Sequence, residues 1–173
     1  MSRVAVCLVG EIRCWEVTKH IFKSWDVDFF VSTWDTTNRE EDNYPYKFHG
    51  NSDINDDILE TLKPKGYEFL LREVENKIKF NIPKYYYLVH RGNLLKTQYE
   101  LDNDFKYDCV IMTRPAVYHV KNLIKEISTY KLDELVLHSA ILNIGEDYFG
   151  QYCMDAAAYG TSPTMDIFSS IYK

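Results

Sequence analysis

The chain has 173 residues, which is enough for one domain with a buried core. Its hydrophobic fraction of 46% and charged fraction of 27% are typical of a globular protein and exclude an intrinsically disordered chain. The net charge of −6 and the lack of any basic run longer than two residues argue against a surface for duplex nucleic acid, because neutralising phosphates requires clustered lysine and arginine.

The cysteines, together with the apolar runs and the first residues, indicate the cellular compartment in which the protein is expected. The four cysteines form no Cys-x-x-Cys pair and no Cys/His ligand spacing, so a zinc site is not expected. The apolar runs are too short to span a membrane, and Met1 leads into the first predicted strand without a signal peptide. We therefore expect a reducing, cytoplasmic compartment.

The first part of the chain predicts a strand, a helix and a second strand. Residues 3–9 form an apolar, β-rich run that ends at Gly10, and residues 11–25 carry apolar side chains at helical spacing. Residues 27–34 form a second buried run that ends at Asp35. This order is typical of the start of a parallel α/β sheet with right-handed crossovers.

The middle of the chain predicts a long polar surface loop over residues 36–57. A short helix over 53–64 overlaps the end of this loop and is favoured by acidic residues in its first turn and by Pro64 after its end. A third strand is predicted over 66–74, and a helix over 93–105.

The last part of the chain predicts two strands and two helices. The closing helix has Ser162 as its N-cap and Pro163 at its first position. With no repeat and no linker, the pattern predicts a single α/β domain over residues 1–173, a three-layer sandwich with a mostly parallel central sheet. The alternatives of a natural small form and of one domain of a longer protein both stay open. The predicted strands are 107–114 and 134–142, and the predicted helices are 122–132 and 161–173.

Residues that follow strand ends are the candidates for chemistry, because ligands of open parallel sheets bind beyond the carboxyl ends of the strands. Arginine at such a position suits bidentate binding of phosphate or carboxylate. The alternative is that the arginines pair with acidic neighbours on the surface. The candidates are Gly10, Glu11 and Arg13 after the first strand, Trp34 and Asp35 at the end of the second, and Arg114 at the end of the fourth.

Other motifs exclude several functions. Two Asp-x-Asp triplets, residues 26–28 and 102–104, look like carboxylate pairs that hold a metal against a diphosphate. The first precedes its strand and the second lies at a helix end, so neither is expected at the site. The sequence has no G-x-G-x-x-G, no Walker lysine and no G-x-S-x-G motif, which argues against dinucleotide, P-loop and α/β-hydrolase chemistry.

Four ordered segments resemble a known family: VAVCLVGEIRCWE, VDFFVSTWD, YDCVIMTRPAVY and MDAAAYGTSPTMDIFSSIY. Together they are similar to the small GT-A-like glycosyltransferases of polysaccharide loci, large DNA viruses and phages. The resemblance covers nearly the whole chain. It implies a GT-A-like (Rossmann-like) fold and transfer of a sugar from a nucleotide-diphosphate sugar to a glycan or another hydroxyl acceptor.

The resemblance also implies roles for individual residues. Asp155 matches the acid of a later family segment, which implies a catalytic base or a metal partner; the alternative is a cap on a helix beginning near Ala156. Gly160 and Ser162 belong to the same segment and are expected to serve structure. The implied donor-binding residues are Gly10, Glu11, Arg13, Trp34, Asp35, Arg91, Asn93, Lys96 and Arg114.

Two positions depart from the family pattern. Ala116 replaces an aspartate that would bind Mn²⁺ or Mg²⁺, and Ala156 replaces a glutamine. Because alanine cannot hold a divalent ion, the metal ligand stays unknown. Three explanations compete: an engineered inactivating change, a naturally degenerate enzyme, and a metal-independent site that uses arginine and lysine. A non-catalytic nucleotide-sugar-binding domain and a plain interaction domain are therefore alternatives to the enzyme.

Overall fold

The computed structural model describes residues 3–12, 15–35, 52–115, 124, 132, 138–139 and 157–172. The strands in these ranges are β1 (Val4–Val9), β2 (Asp28–Trp34), β3 (Gly66–Leu70), β4 (Cys109–Thr113), β5 (His138–Ser139) and β6 (Ala157–Gly160). The helices are α1 (Trp15–Lys23), α2 (Ser52–Leu62), α3 (Arg72–Lys77), α4 (Asn81–Asp102) and α5 (Ser162–Ser169), followed by a 3₁₀ turn at Ser170–Tyr172.

The six described strands form one sheet in the order β3-β2-β1-β4-β6-β5. Strands β3, β2, β1 and β4 are parallel to one another, whereas β6 is antiparallel to both β4 and β5. The α/β class and the mostly parallel sheet predicted from sequence are confirmed. The edge at which β1, β2, β3 and β4 end is called the carboxyl edge below.

Helices cover both faces of the sheet, because alternate residues of the buried strands point to opposite sides. The α1-side core and the α4-side core are two separate hydrophobic clusters. The α1-side core contains Val6, Leu8, Ile12, Trp15, Phe22, Trp25, Phe29, Val31, Ile58, Leu62, Cys109 and Ile111. The α4-side core contains Ala5, Cys7, Val9, Phe30, Trp34, Tyr85, Leu88, Val89, Tyr107, Val110, Met112 and Met165.

Strand β3 is shorter than predicted. The sequence predicts a strand over 66–74, but β3 ends at Leu70 and α3 begins at Arg72. The side chains of Val74 in α3 and of Ile78 at its C-cap pack against the α4-side core, and their spacing of four residues is helical. The apolar pattern of this segment therefore belongs to a helix that follows the strand.

Helix α4 is longer than predicted. It begins at Asn81, whereas the sequence predicts a helix only from residue 93. Pro83 stands in its first turn, where the missing N–H costs no intrahelical hydrogen bond. A tyrosine run and Gly92 weaken the helical signal of residues 85–92, and packing against the sheet overrides that weak propensity.

The last strand and the last helix of the chain differ from the sequence prediction. The N-cap of α5 is Thr161, whose hydroxyl accepts a hydrogen bond from the Thr164 N–H, and Ser162 is already the first helical residue. Strand β6 was not predicted, because Ala157–Gly160 has little β propensity and its conformation comes from pairing with β4. Most of the predicted helix 122–132 and strand 134–142 lie outside the described residues.

None of the helices in the described ranges has the length and hydropathy that crossing a bilayer requires.

Candidate functional site

Three neighbouring strands deliver candidate residues to the carboxyl edge. Strand β1 lies between β2 and β4, with Val9 opposite Ser32 and Leu8 opposite Thr113. Gly10 and Glu11 after β1, Asp35 after β2 and Arg114 after β4 therefore leave the sheet side by side. The sheet order brings together these sequence-predicted residues from three separate parts of the chain.

Gly10 is the turn that ends β1. Its φ of +111° lies in the region that residues with a side chain rarely adopt, so glycine is required for conformational reasons. Its N–H donates a hydrogen bond of 3.4 Å to the Ser32 carbonyl of β2. A Cβ at this position would lie 3.5 Å from Cγ of Arg114 and 3.7 Å from Cδ2 of Tyr85, so the three residues form one contact group.

Arg114 is held by an aromatic ring from the helix layer. Its guanidinium carbon lies 4.4 Å from the centre of the Tyr85 ring, and Tyr85 is buried in the α4-side core. This cation–π contact fixes the plane of a group that carries five N–H donors. On the other side, the Thr18 hydroxyl of α1 donates a hydrogen bond of 2.8 Å to the Pro115 carbonyl. Both helix layers thus position the end of β4.

Asp35 and Trp34 end β2 in different environments. The Asp35 N–H donates a 2.7 Å hydrogen bond to the Leu70 carbonyl of β3, and Asn55 donates to its carboxylate at 3.4 Å. Trp34 is 3% exposed and stacks on Tyr87, with ring centres 6.1 Å apart. Its indole is a core group, so Asp35 is the polar residue that β2 places at the carboxyl edge.

Arg91 lies on α4 and binds the carboxylate of Glu68 on β3. Its Nε donates to both carboxylate oxygens at 3.1 Å, and its Nη2 forms an ion pair with one of them. The hydrogen bonds that Arg91 donates to Glu68 raise the pKa of Arg91. Ser32 donates a further hydrogen bond of 2.7 Å to the same carboxylate. The guanidinium is therefore engaged within the protein.

Asn93 and Lys96 do not join the group at the carboxyl edge. With a rise of about 1.5 Å per helical residue, they lie roughly 12 and 16 Å further along α4 than Tyr85. Lys96 is fully buried, and its ammonium contacts Ser162 at 2.6 Å and Asp166 at 2.9 Å. Asn93 donates to the same Asp166 oxygen at 2.9 Å.

The Lys96 network includes two carboxylates with lowered pKa values. Lys96 contacts Glu100, which is also fully buried, at 3.1 Å. Burial alone would raise the pKa of Glu100 and of Asp166. Hydrogen bonds outweigh that effect, from Lys106 and the Tyr107 N–H for Glu100 and from Lys96 and Asn93 for Asp166, so both pKa values are lowered. The network links α4 to α5.

Three residues of the predicted site lie outside the described residues: Arg13, Ala116 and the expected catalytic residue Asp155. Their roles stay predictions. The strand β6, which the structure describes, begins two residues after Asp155, and its first residue, Ala157, pairs with Thr113 of β4.

Sequence reasoning missed Tyr85 and Thr18, the two residues that fix the end of β4. Tyr85 lies in a run of three tyrosines that has no distinctive spacing. If the start of α4 at Asn81 had been predicted, Tyr85 would have been placed in the second turn of that helix, on the side that faces the sheet. Thr18 carried no signal, because its hydroxyl contact is to a backbone carbonyl distant in sequence.

The described ranges contain no group of three His, Cys, Asp or Glu side chains close enough to hold a metal ion. At the position where the family resemblance implies a carboxylate ligand, the side chain of Ala116 has no donor atom, so that side chain cannot bind an ion. The arrangement at the carboxyl edge can instead present a fixed guanidinium to an anionic group.

No protein-family model matches the sequence, and neither the curated proteins nor the solved structures give a significant match.

Proposed function

We propose that this protein is a glycosyltransferase that transfers a sugar from a nucleotide-diphosphate sugar to a hydroxyl acceptor such as a glycan. The observation that carries the proposal is the placement of Arg114 at the end of β4, over the Tyr85 ring and against Gly10. The family-like segments of the sequence and the GT-A-like fold inferred from them support the same function.

Sugar transfer needs positive charge at the leaving group. The bond between the anomeric carbon and the diphosphate breaks, and negative charge develops on the β-phosphate. A guanidinium whose position is fixed before the reaction stabilises that charge without reorganisation. Arg114 has this property, because Tyr85 holds its plane and the end of β4 is anchored by Thr18.

Other residues take supporting roles in this proposal. Gly10 allows the turn after β1 that leads into the loop expected to bind the nucleotide-sugar donor. Asp35 accepts hydrogen bonds from the nucleoside of that donor. Asp155 removes the proton of the acceptor hydroxyl as general base. Because the side chain of residue 116 offers no metal ligand, positive charge at the leaving group comes from Arg114 in this proposal.

The alternative proposal is a non-catalytic nucleotide-sugar-binding domain. The observation that favours it is Ala116, where the resembled family has a carboxylate. The two proposals differ in turnover: both predict donor binding, but only the enzyme releases the nucleoside diphosphate.

Calorimetric titration with UDP-, GDP- and dTDP-sugars, each with and without Mn²⁺, tests the proposal. Arg114→Ala should weaken binding of the recognised donor at least about tenfold, because hydrogen bonds to charged groups contribute roughly 1.5–3 kcal/mol. Arg3→Ala is the matched control, since Arg3 lies 4.5 Å over the Phe105 ring at the opposite edge of the sheet. Equal affinity of the Arg114→Ala and wild-type proteins would remove Arg114 from the site, and silence across the panel would reject both proposals.

A further inference from the structure

The turn between α3 and α4 exposes two large apolar side chains. Phe80 is 71% exposed and Ile82 is 72% exposed, the highest values among the large hydrophobic residues that the structure describes. Burying such side chains is worth roughly 1.5–3 kcal/mol each, so their exposure in solution is unfavourable unless another surface covers them.

The same turn is basic, although the chain as a whole is acidic. Lys77 and Lys79 are exposed and precede Phe80 in the sequence. No Asp or Glu occurs between Asn76 and Tyr99, in a chain of net charge −6. The acidic residue closest in sequence before the turn, Glu75, forms an ion pair of 3.4 Å with Lys84. The exposed apolar pair is therefore accompanied by two exposed lysines.

The turn projects from the carboxyl edge of the sheet. Tyr85 contacts Gly10 at the end of β1, whereas Glu100, later in α4, accepts a hydrogen bond from the Tyr107 N–H just before β4. Helix α4 therefore runs antiparallel to the parallel strands, and its first residues extend past their ends. Phe80 lies about 8 Å further out than Tyr85 along the helix axis.

We infer that this turn, residues 77–82, is a docking surface for an anionic lipid bilayer. Phe80 and Ile82 enter the interface between headgroups and acyl chains, and Lys77 and Lys79 bind the acidic headgroups. Docking in this way turns the carboxyl edge, with Arg114 and Gly10, toward the membrane. The docking is independent of the nature of the reaction at that edge.

Charge and area favour a membrane over a protein partner. A stable protein interface buries about 800 Å² on each side, far more than two side chains can supply. An interfacial anchor needs only a few apolar groups beside lysines, because the acidic surface attracts each lysine independently. The chain as a whole has a net charge of −6 and is repelled by such a surface, which favours this basic turn as the point of contact.

Vesicle co-sedimentation tests the inference. The wild-type protein should bind vesicles of equal parts phosphatidylcholine and phosphatidylserine much more strongly than phosphatidylcholine alone, and added salt should weaken that binding. The variant with Phe80→Ser and Ile82→Ser should lose at least about tenfold in partitioning. It should remain folded, because Phe80 is the N-cap of α4 and serine is preferred there.

Matched control variants distinguish docking through this turn from non-specific adsorption to vesicles. The variant with Leu101→Ser and Ile167→Ser removes two apolar side chains that are 67% and 60% exposed but have aspartate neighbours, and should bind like wild type. Lys77→Gln with Lys79→Gln should lose about fivefold per lysine. Lys63→Gln with Lys65→Gln, an exposed pair of the same spacing at the other edge, should have little effect.

Several results would overturn the inference. The first is failure of the wild-type protein to bind phosphatidylserine vesicles. The second is an equal loss of vesicle binding in the test variants and in the control variants. The third is a wild-type dimer in sedimentation velocity that becomes a monomer when Phe80→Ser and Ile82→Ser are introduced. The last result would assign the turn to a second copy of the chain. Donor titration on the same variants is a separate measurement, so failure of the proposed function would not be confused with failure of docking.

Discussion

Gly10 and Gly92 are fixed by different physical requirements. At Gly10 the backbone has a φ of +111°, which a Cβ would strain whatever space surrounds it. At Gly92, inside helix α4, the φ is ordinary, but a Cβ would lie 2.7 Å from Cγ1 of Val9. Gly92 therefore allows α4 to approach β1 closely, and this approach brings Tyr85 against the end of that strand.

Gly92→Ala should destabilise the protein. Alanine favours a helix over glycine by about 1 kcal/mol, but forcing a methyl group against a buried β-branched side chain costs roughly 1–3 kcal/mol. We expect a net loss of up to about 2 kcal/mol in the free energy of unfolding, measured by urea denaturation.

A double-mutant cycle with Val9→Ala provides the control. Removing the Val9 methyl groups should relieve the clash, so the two substitutions should couple favourably by at least about 1 kcal/mol. Additive effects would mean that Gly92 is not held by this contact.

At the scale of elements, helix α4 has two separate roles. Its first turns hold Tyr85 beneath Arg114 at the carboxyl edge. Its later turns bury Lys96 and Glu100 among the polar groups of α5. The helix therefore positions the candidate site with one end and attaches the closing helix with the other.

Lys96→Met should cost about 3–5 kcal/mol at neutral pH, because it removes the buried cation that pairs with both Glu100 and Asp166. Lys106→Met is the matched control, since Lys106 contacts the same Glu100 at 2.8 Å but is 51% exposed. The control should cost under about 1 kcal/mol. Equal costs in urea denaturation would show that burial of Lys96 is not decisive.

Acidification should reduce the cost of Lys96→Met. The pKa values of Glu100 and Asp166 are lowered in the folded protein from 4.5 and 3.8, so their contribution to stability is present above those values and is lost as pH falls through the lowered ones. Without the lysine, both carboxylates become easier to protonate. Denaturation curves across this pH range should converge, and a constant difference would contradict the argument.

At the scale of the whole molecule, two cores share one sheet. Cys7 belongs to the α4-side core and Cys109 to the α1-side core, on neighbouring strands. Because both cores depend on the same four parallel strands, neither can lose its packing while the other remains intact. We expect a single cooperative unfolding transition.

Thiol labelling tests this expectation. Burial raises the pKa of both thiols to about 12, so neither should react in the native protein. In a background with Cys14→Ser and Cys153→Ser, variants that retain only Cys7 or only Cys109 should become reactive at the same urea concentration. Distinct midpoints would show that the cores unfold separately.

Much of the parallel sheet could be predicted from sequence, because its strands are buried on both faces and appear as continuous apolar runs between polar turns. The strand-end positions of Gly10, Asp35 and Arg114 followed from those runs. The predictions failed where local propensity is weak or misleading: in α3, in the first half of α4 and in β6. In each case packing against the sheet determines the conformation.

The sequence alone determined the α/β class, the strands β1, β2 and β4, and the residues that follow them, since hydrophobic pattern and turn residues are local properties. The contacts of Tyr85 and Thr18 at the end of β4, and the burial of Lys96 with Glu100 and Asp166, depend on the three-dimensional arrangement. Those contacts join residues far apart in the chain, and their partners depend on strand order and helix register, which no local pattern encodes.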